Sequence, residues 1–215
     1  MLRDHSPALQ PGQYGDAVDA KAWDARYAAT ELVWSLTPNQ FVAAELADLP
    51  PGRALDVAAG EGRNAIWLAR RGWRVTAVDF SRVALAKGRE LAGDTDVEWV
   101  CADVTTWRPD TEYDLVVIAY LQLAAEERRA AVSRAFGSLR PGGTFFLVAH
   151  DSTNLLLGSG GPQDPSVLMT AEDVLGDLGG EDFEVLRADR VTREVARPDG
   201  TVETALDALV RLVRR

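Results

Sequence analysis

Three aspartates, Asp56, Asp79 and Asp103, stand at or just past the ends of short apolar runs, and His150 follows a fourth such run. If those runs are strands of one parallel sheet, the three carboxylates gather along a single edge and His150 emerges at the same edge. Between the first two acids lies the turn Ala58-Ala59-Gly60-Glu61-Gly62. Gly60 and Gly62 let the backbone turn tightly and approach a ligand, while the helix that follows offers unpaired N–H groups. Gly60, Gly62 and Ala65 also satisfy the glycine fingerprint of dinucleotide-binding folds, and Asp79 suits the acid that ends the second strand there.

Charge separates the two readings. A pyrophosphate beside three carboxylates is repelled, whereas S-adenosylmethionine brings a sulfonium, an ammonium, a ribose diol and an adenine amino group, all of which accept or favour nearby acceptors. The acidic edge therefore selects that methyl donor over NAD. His150 adds a side chain whose unperturbed pKa, ~6.5, suits taking a proton near neutral pH. A hydroxyl acceptor needs such a base; a thiolate or other soft anion does not.

These residues need a sheet to position them. Apolar runs at 54–58, 74–78, 97–101, 115–119 and 144–149 read as strands. Helical patterns fall between them at 63–71, from the Ser81 cap to Leu91, and at 124–139, the last closed by Pro141, Gly142 and Gly143. Strands alternating with helices predict an α/β, Rossmann-like, mostly parallel sheet with helices on both faces. Upstream, 18–34 predicts an amphipathic helix carrying Trp23, Tyr27 and Trp34, and Thr37 with Pro38 predicts a second helix reaching about Asp48. Downstream, 151–169 reads as a long Gly/Ser/Pro-rich loop, in which Leu155, Leu156 and Leu157 beside glycines suit either a flap or a plain surface crossover. Thr170 then caps a helix with Asp173 in its first turn. The segments 183–195 and 201–213, flanking Pro198-Asp199-Gly200, predict a C-terminal antiparallel strand pair. The expected organisation is a polar tail over 1–20 and a single domain over 21–215, with 21–49 as a helical lid.

The run GEGRNAIWLARRGWRVTAVDFS resembles class I S-adenosylmethionine-dependent methyltransferases, in particular the small-molecule branch of tellurite-resistance and thiopurine-type enzymes. The resemblance extends over about residues 20 to 150. It implies that Asp56, Ala58, Gly60 and Gly62 line the methionine portion of the donor and that Asp79 holds the ribose hydroxyls. It further implies that Phe80 flanks the adenine, that Asp103 and Val104 meet the adenine edge, and that Ala119 and Tyr120 lie near the sulfur. The segment WDARY resembles the part that closes over the donor, so Trp23 and Tyr27, with Tyr120 and His150, are expected to face the acceptor. Where the family often has Gly-Cys-Gly, this chain has Ala58, Ala59 and Gly60. Ala119-Tyr120-Leu121-Gln122 also departs from the Asn/Asp-Pro-Pro-Tyr pattern of enzymes that methylate amide or nucleobase nitrogens.

Composition narrows the partners. A net charge of -10 opposes nucleic acid and anionic membrane, because binding to either relies on Lys and Arg. The expected partner is a small-molecule acceptor. The 215 residues suit one core, and the start of the chain has no apolar run, so a cytoplasmic location is expected. One cysteine and two histidines predict no metal centre. Trp67 and Trp73 read as packing residues, while Trp23, Tyr27 and Trp34 suit a core stripe as well as a lid. Cys101 reads as a buried strand residue, and Arg128, Arg129 and Arg134 as a solvated helix face beside Glu126 and Glu127. Two other functions compete with methyl transfer. An NAD(P)-dependent oxidoreductase has the glycine spacing but lacks a Tyr-x-x-x-Lys pair, there being no lysine after Lys87. A non-catalytic module that binds S-adenosylmethionine would need the same donor site and no turnover.

Overall fold

The computed structural model describes residues 20–33, 35–197 and 199–215; the expected tail, the start of the first helix, Trp34 and Pro198 lie outside the described residues. Two short helices come first, α1 (Ala20–Ala28) and α2 (Gln40–Leu46). Strand and helix then alternate: β1 (Arg53–Val57), α3 (Arg63–Arg70), β2 (Arg74–Asp79), α4 (Arg82–Ala92), β3 (Val97–Cys101), β4 (Tyr113–Ala119), α5 (Ala125–Gly137) and β5 (Leu139–His150). The chain closes with α6 (Asn154–Leu157), α7 (Ala171–Asp177), β6 (Phe183–Ala196) and β7 (Val202–Arg214).

The seven strands form one sheet in the order β3-β2-β1-β4-β5-β7-β6. The first five run parallel, and β7 lies antiparallel to both β5 and β6. This is the Rossmann-like mixed sheet expected from the alternating pattern. Side chains on β5 show why both faces need cover: Phe145 and Leu147 join the core under α5 and α7, while Phe146 and Val148 join the opposite core with Leu46 of α2 and Leu68 of α3. Trp73 is buried in that second core, and Trp67 packs against it, as expected of packing residues. No helix of the described residues is long and apolar enough to cross a membrane.

Several local expectations are corrected. The second helix is capped by Asn39 and not by Thr37: the Asn39 carboxamide accepts from the N–H groups of Phe41 and Val42, leaving Pro38 ahead of the cap. The predicted helix over 124–139 ends at Gly137, and Pro141, Gly142 and Gly143 fall inside the long strand β5. Cys101 is exposed, because β3 is the edge strand and pairs on one side only. Arg128 is buried and not solvated, since it meets Asp177 of α7 at 2.6 Å; Arg129 on the same turn is exposed. By contrast, Thr170 and Asp173 form the reciprocal cap that their spacing predicts.

Candidate active site

The chain order reverses between β1 and β4, which are neighbours in the sheet, and a crevice opens where two such strands end. The first residue beyond each strand adopts a left-handed backbone: Ala58 at φ 56 and Tyr120 at φ 59. Non-glycine residues avoid this region, and strain of this kind tends to collect at functional sites. Both conformations are held from a neighbouring strand. The N–H of Ala59 donates to Val78 O at 3.0 Å, and that of Tyr120 donates to Val148 O at 2.8 Å. Ala58, expected as the last residue of the strand, instead begins the turn.

The cavity at this crevice is lined by Ala58, Asp79, Phe80, Asp103, Val104, Ala119 and Tyr120, together with Trp23 and Tyr27 of α1. Arg63, Asn64 and Gln122 also line it and were not expected from the sequence. Asp56, Gly60 and Gly62 do not appear on the wall. Gly60 instead donates its N–H to Asp79 Oδ2 at 2.8 Å, and the Ser81 N–H donates to Asp79 Oδ1 at 2.8 Å. Gly62 caps α3 at φ 76, where a Cβ would stand 2.3 Å from the Trp99 ring, so it serves turn geometry and close packing.

Burial raises the Asp79 carboxyl above the ordinary carboxylate range, with the two backbone N–H groups working against the shift. Asp56 is more enclosed: burial pushes it up to about 7, opposed by the Ala65 N–H and the Arg63 charge. Its Oδ2 is buried without a hydrogen-bond partner. Asp103 is exposed at the rim, where its Oδ1 accepts from the Thr105 N–H and hydroxyl. Gln122 contributes a second buried acceptor without a partner, its Oε1.

His150 lies one ring behind the cavity wall. Its imidazole packs on the Tyr120 ring with centroids 4.7 Å apart, and it is not among the lining side chains. Gly161, from the loop after β5, covers the other side: a Cβ there would come within 3.0 Å of Nδ1. The group that gathers this corner is Asp207 of β7, which sequence reading missed. Tyr120 donates its hydroxyl to Asp207 Oδ2 at 2.9 Å, Arg193 of β6 donates to the same oxygen at 3.0 Å, and His150 Nδ1 stands 3.4 Å from Oδ1. Burial opposes the charge on Asp207, but the contacts with His150 and Arg193 outweigh it and hold the carboxyl below its ordinary range. Burial and the Asp207 charge together push the Tyr120 phenol well up, so it stays protonated.

The N-terminal helix is tied down at three points. Asp24 accepts from the Ser81 hydroxyl and the Val83 N–H, Lys87 Nζ donates to the carbonyls of Tyr27, Thr30 and Glu31, and Glu61 in the glycine turn accepts from the Val33 N–H at 3.0 Å. The segment over the cavity is thus bonded to α4 and to the turn beneath it.

With this geometry in place, the known proteins it resembles become informative. Residues 54–143 match the family model described as "Methyltransferase domain". The matched stretch runs from β1 to the beginning of β5 and so contains Ala58, Asp79, Asp103 and Tyr120. An uncharacterized methyltransferase of Mycobacterium tuberculosis is 35% identical over 105 residues, which cover 48% of this chain and 53% of that protein. The chain thus spans about half the length of that relative. Among solved structures, one from work on the conversion of a disulfide bond into a thioacetal group during echinomycin biosynthesis is 19% identical, with TM-score 0.72 and 91% of each chain covered. The N-methyltransferase NodS of Bradyrhizobium japonicum, in complex with S-adenosyl-L-homocysteine, is 18% identical, with TM-score 0.67 and coverage of 91% of this chain and 98% of that one. At these identities the two structures establish the methyltransferase fold.

Proposed function

We propose that the chain is an S-adenosylmethionine-dependent methyltransferase acting on a small-molecule acceptor, by in-line displacement, in the cytoplasm. The observation that carries this reading is the cavity at the switch point, walled by the carboxylates of Asp79 and Asp103 within a segment that matches a methyltransferase domain. A dinucleotide pyrophosphate is disfavoured there, and a cationic donor with hydroxyl and amino groups is favoured.

S-adenosylmethionine, when bound, supplies a methyl group already activated by its sulfonium. Asp79 retains lone pairs on both oxygens for the ribose hydroxyls, after accepting from Gly60 and Ser81. Phe80 and Val104 offer apolar surface to the adenine, and Asp103 an acceptor at the rim. The partnerless buried oxygens of Asp56 and Gln122 suit a ligand that brings donors, with Asp56 behind the glycine turn on the methionine side. Trp23 and Tyr27 cover the opening and exclude water. Positioning of this kind is most of what methyl transfer asks of a protein.

The acceptor class we favour is a thiol, another soft anion or a hydroxyl. The cavity walls from Leu121 to Leu123 are apolar apart from Gln122, which suits a small, weakly polar molecule. For a hydroxyl acceptor we assign His150 the role of base, with Asp207 beside its Nδ1 and Tyr120 between it and the cavity. Incubating the chain with methyl-labelled S-adenosylmethionine and separate panels of thiols, phenols, peptides and RNA tests the reading. Label transfer to small thiols or phenols supports it; transfer confined to peptide or RNA rejects the acceptor class.

A further inference from the structure

The hydrogen-bonding groups on the cavity wall divide by type. Asp79 at the end of β2 and Asp103 beyond β3 bring carboxylates, whereas Asn64 in the first turn of α3 and Gln122 beyond β4 bring carboxamides. Both carboxamide residues are built into the wall, at 5% and 8% exposed. Asn64 is oriented by its Oδ1, which accepts from the Asn39 N–H at 2.9 Å, so its NH2 end is the one left over. Gln122 has no hydrogen bond at either end among the described residues: its Oε1 is shut off from solvent, and its Nε2 is not. The opening that this NH2 group meets is the cavity that the side chain lines. Buried donors are seldom left unpaired, because an N–H withdrawn from water without a partner forfeits a hydrogen bond.

We infer that Gln122 is a specificity-determining residue for the acceptor molecule, its Nε2 donating to a carbonyl oxygen that the acceptor carries beside its nucleophilic atom. This rests on the methyltransferase reading above and deepens it, since it narrows the acceptor class to molecules held at two points. The side chains assigned to the donor lie elsewhere: Asp79, Phe80, Asp103 and Val104 for its nucleoside, and Asp56 for its ammonium. Gln122 stands between Leu121 and Leu123, on the apolar stretch of wall left for the acceptor. A neutral carbonyl suits that place better than a carboxylate, which the two acids on the wall repel. An acceptor with only apolar surface there leaves the carboxamide unpaired and binds more weakly for it. The methionine carboxylate of the donor is the other oxygen that can reach Nε2, and the test separates the two sources.

Ligand-observed NMR on the full chain loaded with S-adenosylhomocysteine provides the test, using 4-hydroxyacetophenone and 4-ethylphenol, phenols of similar shape of which only the first carries a carbonyl. Gln122→Met keeps the length of the side chain and removes its N–H groups. It is expected to weaken the ketone relative to the ethylphenol about threefold to tenfold, the net worth of one hydrogen bond. Gln122→Glu, which sets a carboxylate against the carbonyl, should cost the ketone at least as much, and it decides if Gln122→Met does not fold. A merely structural role would weaken both probes alike. Equal weakening of the two, a ketone affinity that neither variant changes, or no binding of the ketone to the wild-type chain overturns the inference. Calorimetry with S-adenosylhomocysteine alone separates the levels. Absence of binding to the wild-type chain removes the donor reading and this inference with it. Binding that Gln122→Met weakens as much as it weakens the ketone gives the carboxamide to the donor's carboxylate and overturns this inference alone.

Discussion

Ala58 and Tyr120 face each other across the switch point as the first residues beyond β1 and β4, and both hold a left-handed backbone that side-chain-bearing residues avoid. The turn that shapes the cavity is therefore built against local preference, at a cost of about 1–3 kcal/mol for each residue.

Ala58→Gly relieves that strain. It is expected to leave stability unchanged or to raise it by up to about 1 kcal/mol, because the relief offsets the extra freedom glycine has in the unfolded chain. Ala86→Gly, on the exposed face of α4, serves as the control and should lose about 0.5–1 kcal/mol. Urea unfolding of both variants checks this; equal losses would show that Ala58 carries no strain.

Asp56 ties stability to pH. Its carboxyl is raised from 3.8 to about 7, so between those values the folded protein holds a proton that the unfolded chain has released. Stability should fall as pH rises through that window and level off above it, and Asp56→Asn should flatten this fall, leaving the share that the raised Asp79 carboxyl contributes. Affinity for S-adenosylhomocysteine should change in the opposite sense and rise with pH across the same window, since its ammonium favours the ionised carboxylate. Parallel pH profiles for wild type and Asp56→Asn would remove Asp56 from both effects.

The bonds from Lys87 to the carbonyls of Tyr27, Thr30 and Glu31 hold the end of α1 over the cavity. Lys87→Ala should speed hydrogen exchange across residues 20–33 and weaken S-adenosylhomocysteine binding, with little change in exchange within β1 and β4. Exchange in 20–33 that matches wild type would show that the helix stays in place without this tether.

His150→Ala separates the acceptor chemistries. Turnover of a hydroxyl acceptor should fall selectively, while a thiol acceptor should be little affected. An equal, modest loss for both would leave His150 as support for Tyr120.

What could be read from the sequence was what is local in it. A Ser cap three residues before the N–H it accepts and the Thr170–Asp173 cap involve near neighbours in the chain, and both are found where expected. The long-range partnerships were hidden. Arg128 looked solvated because its partner Asp177 lies 49 residues away, and Cys101 looked buried because nothing in its own run shows that β3 is an edge. Asp207 and Arg193 resembled the ordinary polar positions of a hairpin, since only the strand order β4-β5-β7-β6 reveals that the hairpin reaches the end of β4. Trp23 and Tyr27 were legible as aromatics on one helix, but their choice between core and lid depended on how α1 is bound to α4 and the glycine turn.

The central claim is that the carboxylate ending β2 belongs to a site for S-adenosylmethionine, and calorimetry tests it most directly. S-adenosylhomocysteine and NADH are each titrated into the wild-type chain and into Asp79→Ala. The expected result is binding of S-adenosylhomocysteine and none of NADH, with Asp79→Ala weakening the former about tenfold to a hundredfold, the effect of losing a buried charge-assisted hydrogen bond. Binding of NADH, or an S-adenosylhomocysteine affinity that the substitution leaves unchanged, would contradict it.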